Sequence, residues 1–533
     1  MNSLPSRAPL HINCSTASER CALHLLPLIL YILCGALAPF KTAAADPLKD
    51  TTSPFEVCKD CNVIIVSSTN TIAKHLTPYG YSRDTTPRIN ELATSGITLQ
   101  NAFSSSSWTL PSGISIFSST YPMKHGVIVR TRPTPPPGVV LPPDLLSQQP
   151  DISHLPMITD ALESAGYRTM TAHGGFDYSP QYGLTSRFDE AFECTSGIQP
   201  LFNYGSLGCS VPKALEWIEK NKDSKFFLFV QGFDTHCPFA LPTKNDRFTR
   251  GLHSDLDFTK CYWTFDTTQP IKMNGEDTFP VLTSSQNQTT TQNTATLTKR
   301  DIDYMTALYD GEINEVDTLV GTLIDKVKAL ALDSKTIVVF LSEHGDVLGK
   351  HGRFMRGGPL HGTFYDEVLN IPVIIRNPRL PHAPRHLSQL IESIDLAPSL
   401  LEMVGLPSPP TFTGQSFVPL LRDPTLPGRA SVFAASMFIP DPGNLLFDKA
   451  NLVGMIRTKE WKYIEEFLWP MTPELRASWR SRLPPPAEKR AELYDIRTDP
   501  GELTDLSQQT PKVRENLSSE LDLNQYITEA TNR

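Results

Sequence analysis

Short, unbroken apolar runs alternate with longer stretches of helical periodicity along most of the chain. Asn62-Val63-Ile64-Ile65-Val66 is one such run, and others occupy Phe226 to Val230, Thr336 to Leu341 and Pro372 to Ile375. Runs of this length without polar alternation mark strands covered on both faces. Helical spacing recurs at Thr159 to Ala165 and at Ile302 to Leu332, and the second leads directly into the Thr336 run. Together they predict an α/β fold, with a large, mostly parallel sheet sandwiched by helices. Residues 46–425 read as this main domain. Residues 426–533 read as a smaller C-terminal α+β subdomain, with strands at Leu452 to Arg457 and Lys462 to Glu465 and a turn-rich stretch at Ile496 to Glu502. The Ser/Thr/Gln/Asn tract from Thr283 to Thr298 is expected to be an exposed or disordered insertion.

The first 45 residues read as an export signal. Arg7 and Arg20 precede an apolar run from Cys21 to Phe40, and Ala43 and Ala45 meet the small-residue rule for cleavage after Ala45. The chain is therefore expected in a periplasm or outside the cell. An uncleaved anchor is the alternative, and would be its only membrane contact. Six of the 9 cysteines lie beyond the cleavage point: Cys58, Cys61, Cys194, Cys209, Cys237 and Cys261. Export permits them to pair. Cys58-Lys59-Asp60-Cys61 suits a local disulfide or two free thiols, since no second such pair completes a zinc knuckle; Cys194 with Cys209, and Cys237 with Cys261, would close loops. The 533 residues carry 48 Lys+Arg against 57 Asp+Glu, a net charge of −9. With no long basic run, that balance gives no electrostatic basis for binding nucleic acid.

In open α/β sheets, ligands bind beyond the carboxyl ends of the strands. The segments there are Ser67-Ser68-Thr69-Asn70-Thr71, Asp234-Thr235-His236-Cys237-Pro238 and Ser342-Glu343-His344-Gly345-Asp346. Ser107-Trp108-Thr109-Leu110-Pro111-Ser112-Gly113 adds a hydroxyl at a helix start, where free N–H groups and the dipole hold anions. Converging at one sheet edge, these segments would form a site for an anionic ester. On its own, Thr109 reads equally as a helix-capping hydroxyl, and His236 as a hydrogen-bonded loop histidine.

The order and wording of these segments resemble the sulfatase family of the alkaline-phosphatase superfamily. The likeness includes Leu76 to Tyr81 with Thr85 to Ile89, Trp108 to Pro122 with His125-Gly126-Val127, and Tyr309 to Ile313. It continues through Ser342 to Gly352, Asp395 to Leu400, Gly414-Gln415-Ser416, and Glu492 to Asp495 with Asp499 to Glu502. The resemblance implies one divalent cation, calcium before others, held by carboxylates at the end of the first strand and by an Asp-Asn or Asp-His pair. The corresponding residues here are Thr69, Asn70, Glu343 and His344. One carboxylate, one amide, one hydroxyl and one imidazole form a weak set for calcium, and zinc prefers more charge or sulfur.

The resemblance also implies a Cys-x-Pro-x-Arg motif whose Cys becomes formylglycine. Thr109-Leu110-Pro111-Ser112-Gly113 has neither the Cys nor the Arg, so no formylglycine is expected. Thr109 can still attack as an alkoxide if a metal or a base activates it. A formylglycine hydrate expels sulfate by collapsing to the aldehyde. A threonine sulfate has no such exit, whereas a threonine phosphate is open to hydrolysis at phosphorus. By resemblance, His236 lies near the leaving-group oxygen as a general acid. His361 falls where many members place an anion-binding Lys, and His173 falls at a Lys-Trp-His motif whose Lys and Trp are absent here. Asp310 and Glu312 read as helix-surface or packing carboxylates, and His125 as structural. The expected activity is hydrolysis of sulfate or phosphate-type esters, on a small molecule or a glycan. The alternative is a catalytically degenerate sulfatase-fold protein that only binds an anionic or sulfated ligand.

Overall fold

The structure is a computed structural model and describes residues 56–127, 152–194, 205–239, 247–256, 258, 261–264, 271–273, 276–284, 293–352, 354, 357–358, 361–362, 364–380, 385–438, 451–468 and 491–521. The expected export signal, residues 1–45, lies outside them. No helix among the described residues is long and apolar enough to cross a membrane.

Eight strands form the central sheet: β1 (Asn62–Ser68), β2 (Ile97–Phe103), β3 (Arg168–His173), β4 (Glu190–Glu193), β5 (Phe226–Gly232), β6 (Thr336–Leu341), β7 (Val373–Arg376) and β8 (Arg385–Glu392). Their order across the sheet is β8-β2-β7-β6-β1-β5-β3-β4. Every residue of β1, β5 and β6 is buried, and their side chains alternate between two apolar layers. Val63, Ile65, Phe227, Phe229, Ile337 and Val339 face one layer; Ile64, Val66, Leu228, Val230, Val338 and Phe340 face the other. Two greasy faces explain the unbroken apolar runs in the sequence.

Helices cover both faces. They are α1 (Pro87–Thr94), α2 (Thr109–Ser118), α3 (Leu207–Asn221), α4 (Lys299–Ala329) and α5 (Leu396–Met403). Helices α2 and α5 pack on the first layer, and α1, α3 and α4 pack on the second. All strand pairings are parallel except those of β7, which runs antiparallel to both β6 and β2. The chain enters β7 from the carboxyl edge, where Val373 pairs with Leu341, so it must run the other way. The predicted mostly parallel α/β sheet is the one observed.

Part of the tract expected to be an exposed or disordered insertion is strand. Glu276–Ser284 and Asn293–Thr298 pair antiparallel, with Thr278 opposite Thr298 and Thr283 opposite Asn293. Asn-Thr-Ala-Thr-Leu-Thr is polar in composition, but its alternating β-branched residues suit a pleated strand. Cys58 pairs with Cys61 and Cys194 with Cys209 as disulfides. Cys237 is disulfide-bonded as well; the Cys261 side chain lies outside the described residues.

The C-terminal strands form a separate antiparallel sheet of β9 (Ser431–Phe438), β10 (Asn451–Thr458), β11 (Trp461–Leu468) and β12 (Ala491–Asp495). Lys462 on β11 is fully buried. Its Nζ lies 2.8 Å from Asp366 Oδ1 and 2.7 Å from Glu502 Oε1. Asp366 opens the short helix Asp366–Leu369 and donates its own N–H to Glu502 Oε2 at 2.7 Å. Val368 O in that helix accepts the Gly345 N–H at 2.6 Å. Glycine is required there, because a Cβ at 345 would stand 2.1 Å from Glu367 O. The C-terminal sheet thus fixes a helix, and the helix fixes the backbone beside His344.

Removing the ammonium leaves Glu502 without the cation it pairs with, and Asp366 with the Arg457 guanidinium at 3.5 Å. Lys462→Met is expected to lower the unfolding free energy by about 3–5 kcal/mol, measured by urea denaturation; an unchanged midpoint would remove this role.

Candidate active site

Parallel pairing of β1 with β5 and β6 sets Ser67 level with both Gln231 and Leu341. The loops that leave the three strands therefore start side by side, at the carboxyl edge where ligands bind. Thr235 ties two of them together, since its hydroxyl donates to Thr69 O at 2.7 Å and meets Thr71 Oγ1 at 3.1 Å. Asn70 takes a left-handed backbone with φ 72°, a conformation that asparagine adopts more readily than most residues. Tyr309 on α4 holds the turn by donating to Asn70 O at 2.6 Å and accepting from Ile72 N–H at 2.8 Å.

The four residues expected to hold a metal lie on the loops that leave β1 and β6, and apart from Asn70 Oδ1 their polar groups meet neighbours. Thr69 Oγ1 donates to Glu343 Oε2 at 3.0 Å and accepts from Gln231 Nε2 at 2.8 Å. The other Glu343 oxygen, Oε1, accepts from Tyr178 OH at 2.6 Å. Asn70 Nδ2 donates to Asp346 Oδ2 at 2.7 Å. Glu343 is wholly buried, and burial pushes its carboxyl above the usual range, with the Tyr178 and Thr69 hydroxyls pulling the other way.

Thr109 is the first residue of α2, and its Oγ1 lies 3.0 Å from His344 Nε2. The other ring nitrogen of His344, Nδ1, lies 2.8 Å from Gly345 O. A carbonyl can only accept, so Nδ1 carries the proton and Nε2 accepts from the Thr109 hydroxyl. Both side chains are fully buried.

His236 follows β5 on the loop that Thr235 stitches to β1, and its Nδ1 lies 2.6 Å from Cys237 O. His173 ends β3, where Nδ1 accepts from Gly175 N–H at 3.1 Å. Its proton therefore sits on Nε2, which is buried with no hydrogen-bond partner. Burial lowers His173 to about 4, so at neutral pH it is an uncharged donor. His361 falls in a two-residue strand paired with Gly357–Gly358, and its side chain lies outside the described residues.

Sequence reasoning missed Tyr178, Gln231 and Asp346. A signal for the first existed at Gly113, where the resemblance expects an Arg. A Cβ at 113 would stand 2.7 Å from Tyr178 OH and 3.1 Å from its Cζ. Tyr178 therefore occupies the room that a side chain at 113 needs. Asp310 takes the packing role among those expected of it. It is a fully buried carboxylate bound to His75 Nδ1 and Arg83 Nη1 at 2.8 Å each, and it ties the loop after β1 to α4.

These donors do not fit the cation that the resemblance implies. Both Glu343 oxygens are taken by hydroxyl protons, and Thr109 and His344 are taken by each other. Among the described residues, one further group could offer three metal-type ligands: His351, Glu367 and Glu502, with ligand atoms within 4.8 Å of one another. It includes none of the predicted residues, and ammonium groups already serve it. Lys462 Nζ is 2.7 Å from Glu502 Oε1, and Lys74 and Lys350 lie 3.1 and 2.7 Å from Glu367 Oε1.

Two outcomes follow from this geometry. Gly113→Ala is expected to cost about 1–3 kcal/mol despite alanine's better helix propensity, because Tyr178 is anchored on Glu343 and cannot yield. Paired with Tyr178→Phe, the same substitution should cost less, giving a measurable coupling in a double-mutant cycle. The second concerns pH. His173 titrates near 6.5 in the unfolded chain and at about 4 in the fold, so only the unfolded state takes up its proton between those values. Stability should fall as pH drops through that window, and His173→Asn should flatten the fall in denaturant midpoint.

A family model described as Sulfatase matches residues 61–406, and one described as N-sulphoglucosamine sulphohydrolase, C-terminal, matches residues 352–469. Arylsulfatase K of Bos taurus is 25% identical over 393 residues, covering 68% of this chain and 66% of its own length. The chain spans slightly under two thirds of that relative, and 64% and 62% of its mouse and rat counterparts. An ulvan-active sulfatase of Formosa agariphila is 25% identical over 477 residues, covering 82% of this chain and 70% of its own. Among solved structures, the phosphonate monoester hydrolase of Agrobacterium radiobacter superposes with a TM-score of 0.62 at 17% identity, covering 86% of this chain and 94% of its own. At that identity the likeness is one of fold. From the family model and the ordered segments around the site, the chain belongs to the sulfatase family of the alkaline-phosphatase superfamily.

Proposed function

We propose that this chain is an exported hydrolase of sulfate- or phosphate-type esters in which Thr109 Oγ1 is the nucleophile. The observation that carries the reading is the 3.0 Å contact between Thr109 Oγ1 and His344 Nε2. With Nδ1 held by Gly345 O, the lone pair on Nε2 is aimed at the threonine hydroxyl. This is the arrangement of a nucleophile, its base and the group that orients the base. Thr109 oxygen bonds to the central phosphorus or sulfur, its proton passes to His344 Nε2, and the bond to the ester oxygen breaks. His236, entering the reaction as the imidazolium with Nδ1–H on Cys237 O, gives its Nε2 proton to the departing oxygen, which leaves as the alcohol. Free amides in the first turn of α2 supply donors for the charge that develops.

A second displacement by water must then release the acid and restore Thr109. Water can attack phosphorus in a threonine phosphate, while a threonine sulfate lacks the aldehyde-forming exit of formylglycine. Phosphate or phosphonate esters are therefore the better substrates, in keeping with the phosphonate monoester hydrolase among the structural neighbours. The ulvan-active relative supports a glycan as the ester-bearing group, with the uncharged His173 Nε2–H as one donor to it. Export rests on the segment ending at Ala45.

One observation favours a degenerate protein that binds an anionic ligand without turning it over: Tyr178 fills the space beside Gly113, and Thr109 and His344 are fully buried. Assays of aryl phosphate, phosphonate and sulfate esters separate the two readings. The expected result is turnover of the phosphorus esters that falls about 10²–10⁴-fold in both Thr109→Ala and His344→Ala. Turnover no higher than in either variant, with calorimetric binding of a sulfated oligosaccharide retained, would sink the hydrolase and leave the binding protein.

A further inference from the structure

We propose that the cation position of the family is closed in this chain: a hydrogen-bond lattice keyed on Tyr178 replaces the ion, and the protein folds and holds its pocket free of divalent metal. The inference goes beyond the hydrolase reading and stands whether or not Thr109 turns over an ester.

Charge is the first obstacle to an ion there. Among Thr69, Asn70, Glu343 and His344 only Glu343 is a carboxylate, and both of its oxygens accept hydroxyl protons, from Tyr178 at 2.6 Å and Thr69 at 3.0 Å. A calcium-like ion takes about six to eight oxygens and draws its affinity from the number of carboxylates among them. Asn70 contributes one buried oxygen, Oδ1, that lacks a hydrogen-bond partner, while its nitrogen is held by Asp346. One amide oxygen cannot make up the deficit. Zinc fares no better. Glu343 and His344 are the only zinc-type donors of the four, short of the three or four that zinc sites use, and His344 Nε2 is engaged by Thr109.

Geometry supplies the second part. Tyr178 reaches Glu343 because residue 113 has no side chain, and its hydroxyl lies 2.7 Å from where a Cβ at 113 would be. Gln231 completes the lattice. It donates to Thr69 Oγ1 at 2.8 Å and accepts from Gly174 N–H at 2.9 Å, which leaves the Thr69 proton for Glu343. The glycine at 113 and the hydroxyl at 69 thus belong to one arrangement, in which a neutral phenol and a neutral hydroxyl satisfy Glu343.

The test reads metal content instead of activity, so its outcome is separate from the fate of the hydrolase reading. The purified full chain is incubated with millimolar calcium, magnesium, manganese or zinc, desalted, and analysed by elemental mass spectrometry. No ion above background is expected, nor any shift in melting temperature on adding a cation or a chelator. About one ion per chain, lost in Glu343→Gln, would overturn the proposal. A triple variant, Thr69→Asp with Asn70→Asp and Tyr178→Phe, provides the positive arm. It is expected to gain calcium and a calcium-dependent rise in melting temperature. If that variant is folded by circular dichroism yet still takes up no ion, the lattice is not what excludes the metal and the proposal fails.

Discussion

A single buried carboxylate sets the terms for the pocket. Glu343 stands at the end of β6, out of contact with water, and a charge in that position is costly unless hydrogen bonds surround it. Tyr178 arrives from the segment after β3, Thr69 from the end of β1, and Gln231 on β5 orients Thr69 in turn. Three neighbouring strands of the sheet are thus tied through one side chain. The pocket's shape is in large part the solution to satisfying that group.

The pair proposed for catalysis is positioned by a second, longer route. His344 owes its orientation to Gly345, whose N–H is held by Val368 O in the helix that Asp366 opens. Asp366 and Glu502 converge on Lys462 of the C-terminal sheet. A surface ion pair would contribute little rigidity to such a chain of contacts. This one is buried, so its geometry is over-determined by the hydrogen bonds among its members. The C-terminal sheet therefore acts as a brace for the loop that carries the proposed base, although none of the residues assigned to the chemistry lies on it.

The fold was legible because its cause is local. Strands buried on both faces must be apolar throughout, and that run-length signal marked β1, β5 and β6 nearly to the residue. The antiparallel sense of β7 carries no such mark, since it follows from the edge at which the chain enters the sheet. In the tract from Thr283 to Thr298, polar composition outweighed the alternation of threonines, so the strand pairing within it went unread. At the site, the order of motifs placed Thr69, Asn70, Thr109, Glu343 and His344 at one edge. What spacing could not convey was their pairing. Glu343 was read as a ligand awaiting a cation, whereas the structure surrounds it with protons. Tyr178 escaped notice because it belongs to no motif, and only the absence of a side chain at 113 gives it room.

That steric exchange between positions 113 and 178 also constrains the routes by which the sequence can change. A Cys at 109 would supply the residue that formylglycine formation needs, but the accompanying Arg has nowhere to go while Tyr178 is in place. Replacing Tyr178 first removes a hydrogen bond from Glu343 before any cation has been gained to compensate for it. The space beside residue 113 therefore has one occupant at a time, and a change at 113, at 178 or in the partners of Glu343 calls for changes at the other two.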